Sequence, residues 1–111
     1  MEGDGSVSGG SDDTVPATVN PYVESVNIYI NITGDSGFAF IQSDITVIIN
    51  SPSGNVFEES YLLNNGQTQS ISLEANEEEM VGDWEITLES NDPASDFTYD
   101  YDWYNYYQEG S

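Results

Sequence analysis

The side chains of this 111-residue chain that could do chemistry are carboxylates, amides, hydroxyls and phenols. It carries 21 Asp and Glu and no Lys, Arg, His or Cys, a formal charge of −21. Serine–histidine and histidine–metal sites and cysteine nucleophiles are therefore excluded. Two carboxylates can share glycosidase-type acid and base work only when fixed across a cleft with their pKa values split. No such pair stands out from the order of residues, and the chain reads as a non-enzyme.

Two groups of residues carry sharper chemistry. Hard cations take carboxylate and carbonyl oxygens, and loops with Asp, Asn and Gly close together supply them. Asp35, Asp83, Asn91, Asp92 and Asp96 are the candidate calcium ligands, although none has EF-hand spacing and each also suits an ordinary turn. The second group is the aromatic tail FTYDYDWYNYYQ, residues 97–108. Flat rings with hydroxyl tips suit the faces of sugars, and they equally suit packing on a half-buried pleated surface. Packing is expected for Tyr99, Tyr101 and Trp103, and ligand contact for Tyr104, Tyr106 and Tyr107. Asn31-Ile32-Thr33 is the glycosylation sequon, with Asn31 on the outward face of its strand.

The missing cations also exclude partners. An average chain of this length would hold about a dozen Lys and Arg. Without them nothing neutralises phosphate, so neither nucleic acid nor an anionic membrane is a partner. No stretch is apolar enough for a membrane helix, and MEGDGSVSGGS has neither the basic nor the apolar region of a signal peptide. Self-repulsion must be relieved by spacing, screening, bound cations or protonation.

The elements that must position these groups are strands. Residues 1–21 are rich in Gly, Ser, Asp and Thr and read as a flexible leader or linker, with strand addition to a neighbour as the alternative. From Tyr22 to Thr33, Val26, Ile28, Ile30 and Ile32 alternate with polar positions and Tyr29. Gly34 to Gly37 turns, and Phe38, Phe40 and Ile41 read as core contacts. Asp44 to Asn50 is nearly continuously apolar, as for a strand covered on both faces or one whose outward Ile48 lies under a loop. Ser51-Pro52-Ser53-Gly54-Asn55 and Asn64-Asn65-Gly66 are turns, and the pattern from Val56 to Leu63 is blurred. Ile71, Leu73 and Ala75 point inward, and Asn76 caps a helical turn carrying Glu77, Glu78 and Glu79. Trp84, Ile86 and Leu88 alternate with Glu85, Thr87 and Glu89, and Phe97, Tyr99, Tyr101 and Trp103 share one face of the last strand. About six or seven short strands at such spacing predict an all-β, antiparallel two-sheet β-sandwich over 22–109, with 110–111 as a tail.

The run Asp44 to Ile49, the turn Ser51 to Asn55, and Gly82, Trp84, Glu85, Ile86, Thr87 and Leu88 resemble the P domain of proprotein convertases and the related prepeptidase C-terminal domains. The likeness covers about half the chain and lacks the family's basic residues and its longer segment before the Trp strand. It implies a jelly-roll-like sandwich appended to secreted or cell-surface proteins, often proteases, and sometimes binding calcium. Strand content and abundant Asn and Thr give a fainter resemblance to the β-sandwich heads of archaeal surface filaments and pilins. The expected function is a non-catalytic accessory or structural module, extracellular or at the cell surface, stabilised by calcium or tolerant of high salt. Its partners would be other domains of a parent protein. The alternatives are a filament or surface-layer subunit joined to identical subunits by strand addition, and a carbohydrate-binding module.

Overall fold

In a computed structural model of the chain, residues 2–21, 23–38, 40–75 and 81–107 are described. They form eight strands: β1 (Glu2–Val7), β2 (Asp12–Val19), β3 (Val23–Gly34), β4 (Ser43–Ser51), β5 (Gly54–Leu63), β6 (Thr68–Ala75), β7 (Gly82–Ser90) and β8 (Phe97–Tyr107). One sheet has the order β1-β8-β3-β6 and the other β2-β7-β4-β5, with every pairing of named strands antiparallel. Chain neighbours repeatedly cross between sheets, which makes the sandwich a jelly roll.

The core follows from alternation. Val26, Ile28, Ile30 and Ile32 of β3, Ile45, Val47 and Ile49 of β4, and Trp84, Ile86 and Leu88 of β7 are all buried. The β-branched side chains suit a pleated surface, and each inner face supplies one layer of the core. Trp84 meets Trp103 of β8 edge to face across the two sheets, ring centroids 5.5 Å apart. The Trp103 indole donates to Asn105 Oδ1 at 2.7 Å, so this polar tip is satisfied inside the sandwich.

Three expectations need correction. Residues 2–19, expected as a leader, form β1 and β2, and Val7, Val15, Ala17 and Val19 join the core. Their low apolar content misled because each strand needs only one inward residue in two, and two glycines of β1 are covered by rings. A Cβ on Gly3 would lie 2.5 Å from the Tyr101 hydroxyl oxygen, and one on Gly5 would lie 2.6 Å from that of Tyr99. The two tyrosines stack at 6.4 Å and fill the inner surface that β1 lacks. Phe38 and Phe40 are 56% and 84% exposed, because Ser36 Oγ and Asn65 fasten the 35–42 loop outside the sandwich. Finally, β4 is not covered on both faces: Thr46 and Ile48 are half-buried, on the outer face. The helical turn expected at Asn76 to Glu79 lies outside the described residues.

One end of the sandwich is closed by polar contacts. Ser43 Oγ donates to the Asp96 carbonyl at 2.7 Å, Ser95 Oγ accepts from the Asp44 amide at 2.8 Å, and Ser90 Oγ accepts from the Gly10 amide at 3.0 Å. All three serines are buried, and no buried side-chain polar atom among the described residues lacks a partner. Gly34 sits at the junction, its amide on the Gln67 carbonyl and its carbonyl on the Gly66 amide. At a second inter-sheet contact, Tyr99 donates its hydroxyl to Asp13 Oδ2 of β2 at 2.8 Å.

A Cβ on Gly34 would lie 2.5 Å from the Asn64 carbonyl oxygen, which is backbone and cannot swing aside. Gly34→Ala is expected to destabilise by about 1–3 kcal/mol, read from the urea midpoint. Burial first, then the hydrogen bond to Asp13 and its charge, push the Tyr99 phenol up to about 12. The native state thus holds this proton more tightly than the unfolded chain does. The resulting stability is complete below pH 10 and is lost as pH rises toward 12, a change on the order of 2 kcal/mol. Tyr99→Phe should remove that slope when both proteins are unfolded by urea between pH 9 and 11.5.

Candidate functional site

Side chains at paired positions of an antiparallel sheet share a face, so register assembles the outer surface of β1-β8-β3-β6 row by row. The first row is Ser6, Thr98, Thr33 and Thr68; the next is Asp4, Asp100, Asn31 and Ser70. Glu2, Asp102, Tyr29 and Ser72 follow, then Tyr104, Asn27 and Glu74, and last Tyr106 beside Ser25. Tyr29, Tyr104 and Tyr106 are 44%, 47% and 49% exposed. Tyr29 and Tyr104 meet edge to face with centroids 5.9 Å apart, which presents two differently tilted rings to solvent. The outer face of the other sheet, Thr14, Pro16, Glu85, Thr87, Ile48 and Glu58 among its residues, carries no aromatic ring among the described residues.

Hydrogen bonds hold the polar rows in place. Ser70 Oγ donates to Asn31 Oδ1 at 2.7 Å, and Asn31 Nδ2 donates to Asp100 Oδ1 at 2.8 Å, a chain running across three strands. The sequon residue Asn31 is thus half-buried in the middle of this face, its amide already engaged. Beside it, Glu2, Gly3, Asp4, Asp100, Tyr101 and Asp102 line a shallow hollow of about 460 Å³. The Tyr104 phenol is pushed up, by the Asp102 carboxylate foremost and then by desolvation, Glu2, Tyr106 and Tyr29. Its hydroxyl therefore stays protonated, a donor as well as an acceptor, well above neutral pH.

Of the three tyrosines proposed for ligand contact, Tyr104 and Tyr106 lie on this exposed face; the side chain of Tyr107 is outside the described residues. Tyr99 is buried and Tyr101 half-buried, as packing requires. Tyr29, Asn27, Asp100 and Asp102 complete the surface and were not singled out by sequence. Their signal was the shared outward parity of β3 and β8, which acquires meaning only once those strands are known to pair.

The candidate calcium ligands are divided. Asp35, Asn91, Asp92 and Asp96 lie in or beside the loops at the serine-closed end, where the Asp35 amide donates to the Asp96 carbonyl. Asp83, at the start of β7, instead accepts from Thr18 Oγ1 at 3.1 Å, in the register pair next to the last of β2 and β7. Asn91 Nδ2 donates to Asp44 Oδ1 and Thr46 Oγ1, Asp92 Oδ1 accepts from the Ala94 amide, and Asp96 Oδ1 accepts from the Gly9 amide. The Asp92 contact is that of a turn former, and the others join segments far apart in the chain. Among the described residues, no three acidic side chains converge as metal ligands.

No family model matches the chain, and no curated protein matches it. Solved structures do. CBM4 matches with a TM-score of 0.58 at 12% identity, over 96% of this chain and 71% of that one. TmCBM61, solved in complex with β-1,4-galactotriose, matches with 0.53 at 13% identity, over 95% and 69%. Dimeric latent PorU from Porphyromonas gingivalis matches with 0.56 at 10% identity, over 91% of this chain and 11% of that one. What they share with this chain is the fold. The chain spans about a tenth of PorU, and the P-domain likeness reaches no further than the β-sandwich.

For the metal-stripped protein, Tm is expected to rise with NaCl as the charge of −21 is screened. Calcium held by the loop carboxylates would add a further rise in CaCl₂ at matched ionic strength, and Asp92→Asn combined with Asp96→Asn would remove that addition.

Proposed function

We propose that this chain is a non-catalytic jelly-roll module of a larger secreted or cell-surface protein, and that the outer face of β1-β8-β3-β6 binds carbohydrate. The observation that carries this reading is the segregation of the exposed sheet tyrosines. Tyr29, Tyr104 and Tyr106 all lie on one sheet face, among amides, hydroxyls and carboxylates already oriented by neighbours. Exposed rings offer flat apolar surface to the CH faces of a sugar, and the flanking polar groups pair with its hydroxyls. An aromatic side chain that served only to stabilise the sheet would gain more from burial.

Two further points support the reading. The same fold occurs in carbohydrate-binding modules, one of them with a galactotriose bound, and as a small part of the long PorU chain. The face is also built on β3 and β8, two of the longest strands, whose inner sides are anchored in the core, so the rings are carried on a rigid base. Strand addition between subunits is the weaker reading. Pro16 interrupts the donors of edge strand β2, Glu59 takes an inward position on edge strand β5 opposite Val47, and edge strand β1 sets Glu2 and Asp4 against Asp102 and Asp100. Each of these discourages another chain from pairing there.

Affinity electrophoresis through gels containing soluble glucan, mannan, xylan or galactan tests the proposal. At least one should retard the protein relative to an acidic, non-binding standard. Tyr29→Ala and Tyr104→Ala should each weaken that binding about tenfold or more, equivalent to about 1.4 kcal/mol. Thr14→Ala, on the opposite sheet, should leave it unchanged. Retardation by none of the four polysaccharides, or binding indifferent to both tyrosine substitutions, would overturn the reading.

A further inference from the structure

Asp102 stands in the same outward row as Tyr29 and two residues before Tyr104, Asp100 stands in the adjoining row with Asn31, and each faces a second carboxylate on β1: Asp4 lies opposite Asp100, and Glu2 opposite Asp102. Like charges directly opposed across two strands are unfavourable, and here they are held between edge strand β1 and β8, one row from or level with the Tyr29 ring. The hollow of about 460 Å³ between them opens on the same face. No basic side chain offsets them, since the sequence contains no Lys, Arg or His.

Resting on the carbohydrate reading of this face, we propose that it accepts uncharged glycans and rejects chains bearing carboxylate or sulfate groups, with Asp100 and Asp102 setting that selectivity. Two physical reasons converge. Ionised Asp and Glu are acceptors only, so the rows Asp4–Asp100 and Glu2–Asp102 require a ligand that arrives with donors. The hydroxyls of a neutral sugar supply them; a uronate or sulfate group brings more acceptors. An anionic substituent stacked near Tyr29 or Tyr104 would also lie within a few ångströms of Asp102 and close to Asp100 and Glu2. At low ionic strength their fields reach well beyond that distance, the screening length being about 30 Å at 0.01 M salt. Specificity of this kind comes from a repulsive element placed beside the attractive one. The contact from Asn31 Nδ2 to Asp100 Oδ1 fixes the carboxylate against the platform instead of letting it swing away into solvent.

The experiment takes whichever neutral polysaccharide binds the full chain and compares its hydroxyethyl and carboxymethyl derivatives at equal substitution, by titration calorimetry in 10 mM and 500 mM NaCl. The two derivatives match in backbone and bulk and differ in charge. The carboxymethyl form should bind at least about tenfold more weakly at low salt, and the gap should narrow at high salt. Asp100→Asn with Asp102→Asn should weaken binding of the hydroxyethyl form, whose hydroxyls lose ionised acceptors, and should narrow the ratio between the two derivatives at low salt; Asn at 100 retains an acceptor for Asn31. Equal binding of the two derivatives at low salt, or a gap that salt and the double substitution leave unchanged, would overturn the selectivity while leaving carbohydrate binding intact. Binding of no neutral polysaccharide would overturn both.

Discussion

Twenty-one carboxylates held without a single basic side chain form the constraint on which the rest of this structure depends. No ion pair between side chains is available, so each acidic residue must face water or find a neutral donor. Many find one. Asp13 accepts from a tyrosine hydroxyl, Asp83 from a threonine, Asp44 and Asp100 from asparagine amides, and Asp92 and Asp96 from backbone amides. Hydrogen bonds to an ionised acceptor are stronger than neutral ones, and here they tie loops and strands far apart in sequence. The carboxylates are thus fasteners as well as a source of repulsion.

Cohesion must come from the apolar interior. Isoleucine and valine on β3 and β4, the inner row of β7 and the Trp84–Trp103 contact fill the space between the sheets. Tyr99 and Tyr101 extend that filling beneath the glycines of β1, and the Tyr99 hydroxyl reaches the opposite sheet. The β8 strand therefore works on both faces. Its odd-numbered residues up to Trp103 pack inward, and its even-numbered residues Asp100, Asp102, Tyr104 and Tyr106 build the candidate binding surface. One alternating segment supplies the core and the chemistry together, and a shift of one residue in its register would exchange them.

Much of the fold was legible from that alternation. The inward rows of β3, β7 and β8 and the turns at Pro52 and Gly66 stand where the pattern placed them, because period-two burial is a local property of a strand with one wet face. The first two strands were hidden, because β1 takes its inner surface from the rings of β8 and not from its own side chains. Phe38 and Phe40 misled in the opposite sense: composition favours their burial, whereas the anchoring of their loop by Ser36 and Asn65 holds them outside. The three buried serines gave no sequence signal, since serine is ordinary in loops and only the convergence of four loops makes these acceptors and donors indispensable. The site was half legible. Tyr104 and Tyr106 could be named from a strand rich in aromatics, but Tyr29 lies 75 positions before Tyr104 and joins it only through pairing.

By itself, the amino-acid sequence determined that this is an all-β chain with an alternating core and a surface carrying no positive charge, because composition and period-two patterning act locally. Which strands became neighbours, that residues 2–19 belong to the sandwich, and that the exposed tyrosines meet on one face beside four carboxylates were decided by the tertiary structure. These depend on the order of strands in the sheets and on register, and both are properties of contacts between distant segments that no local pattern contains.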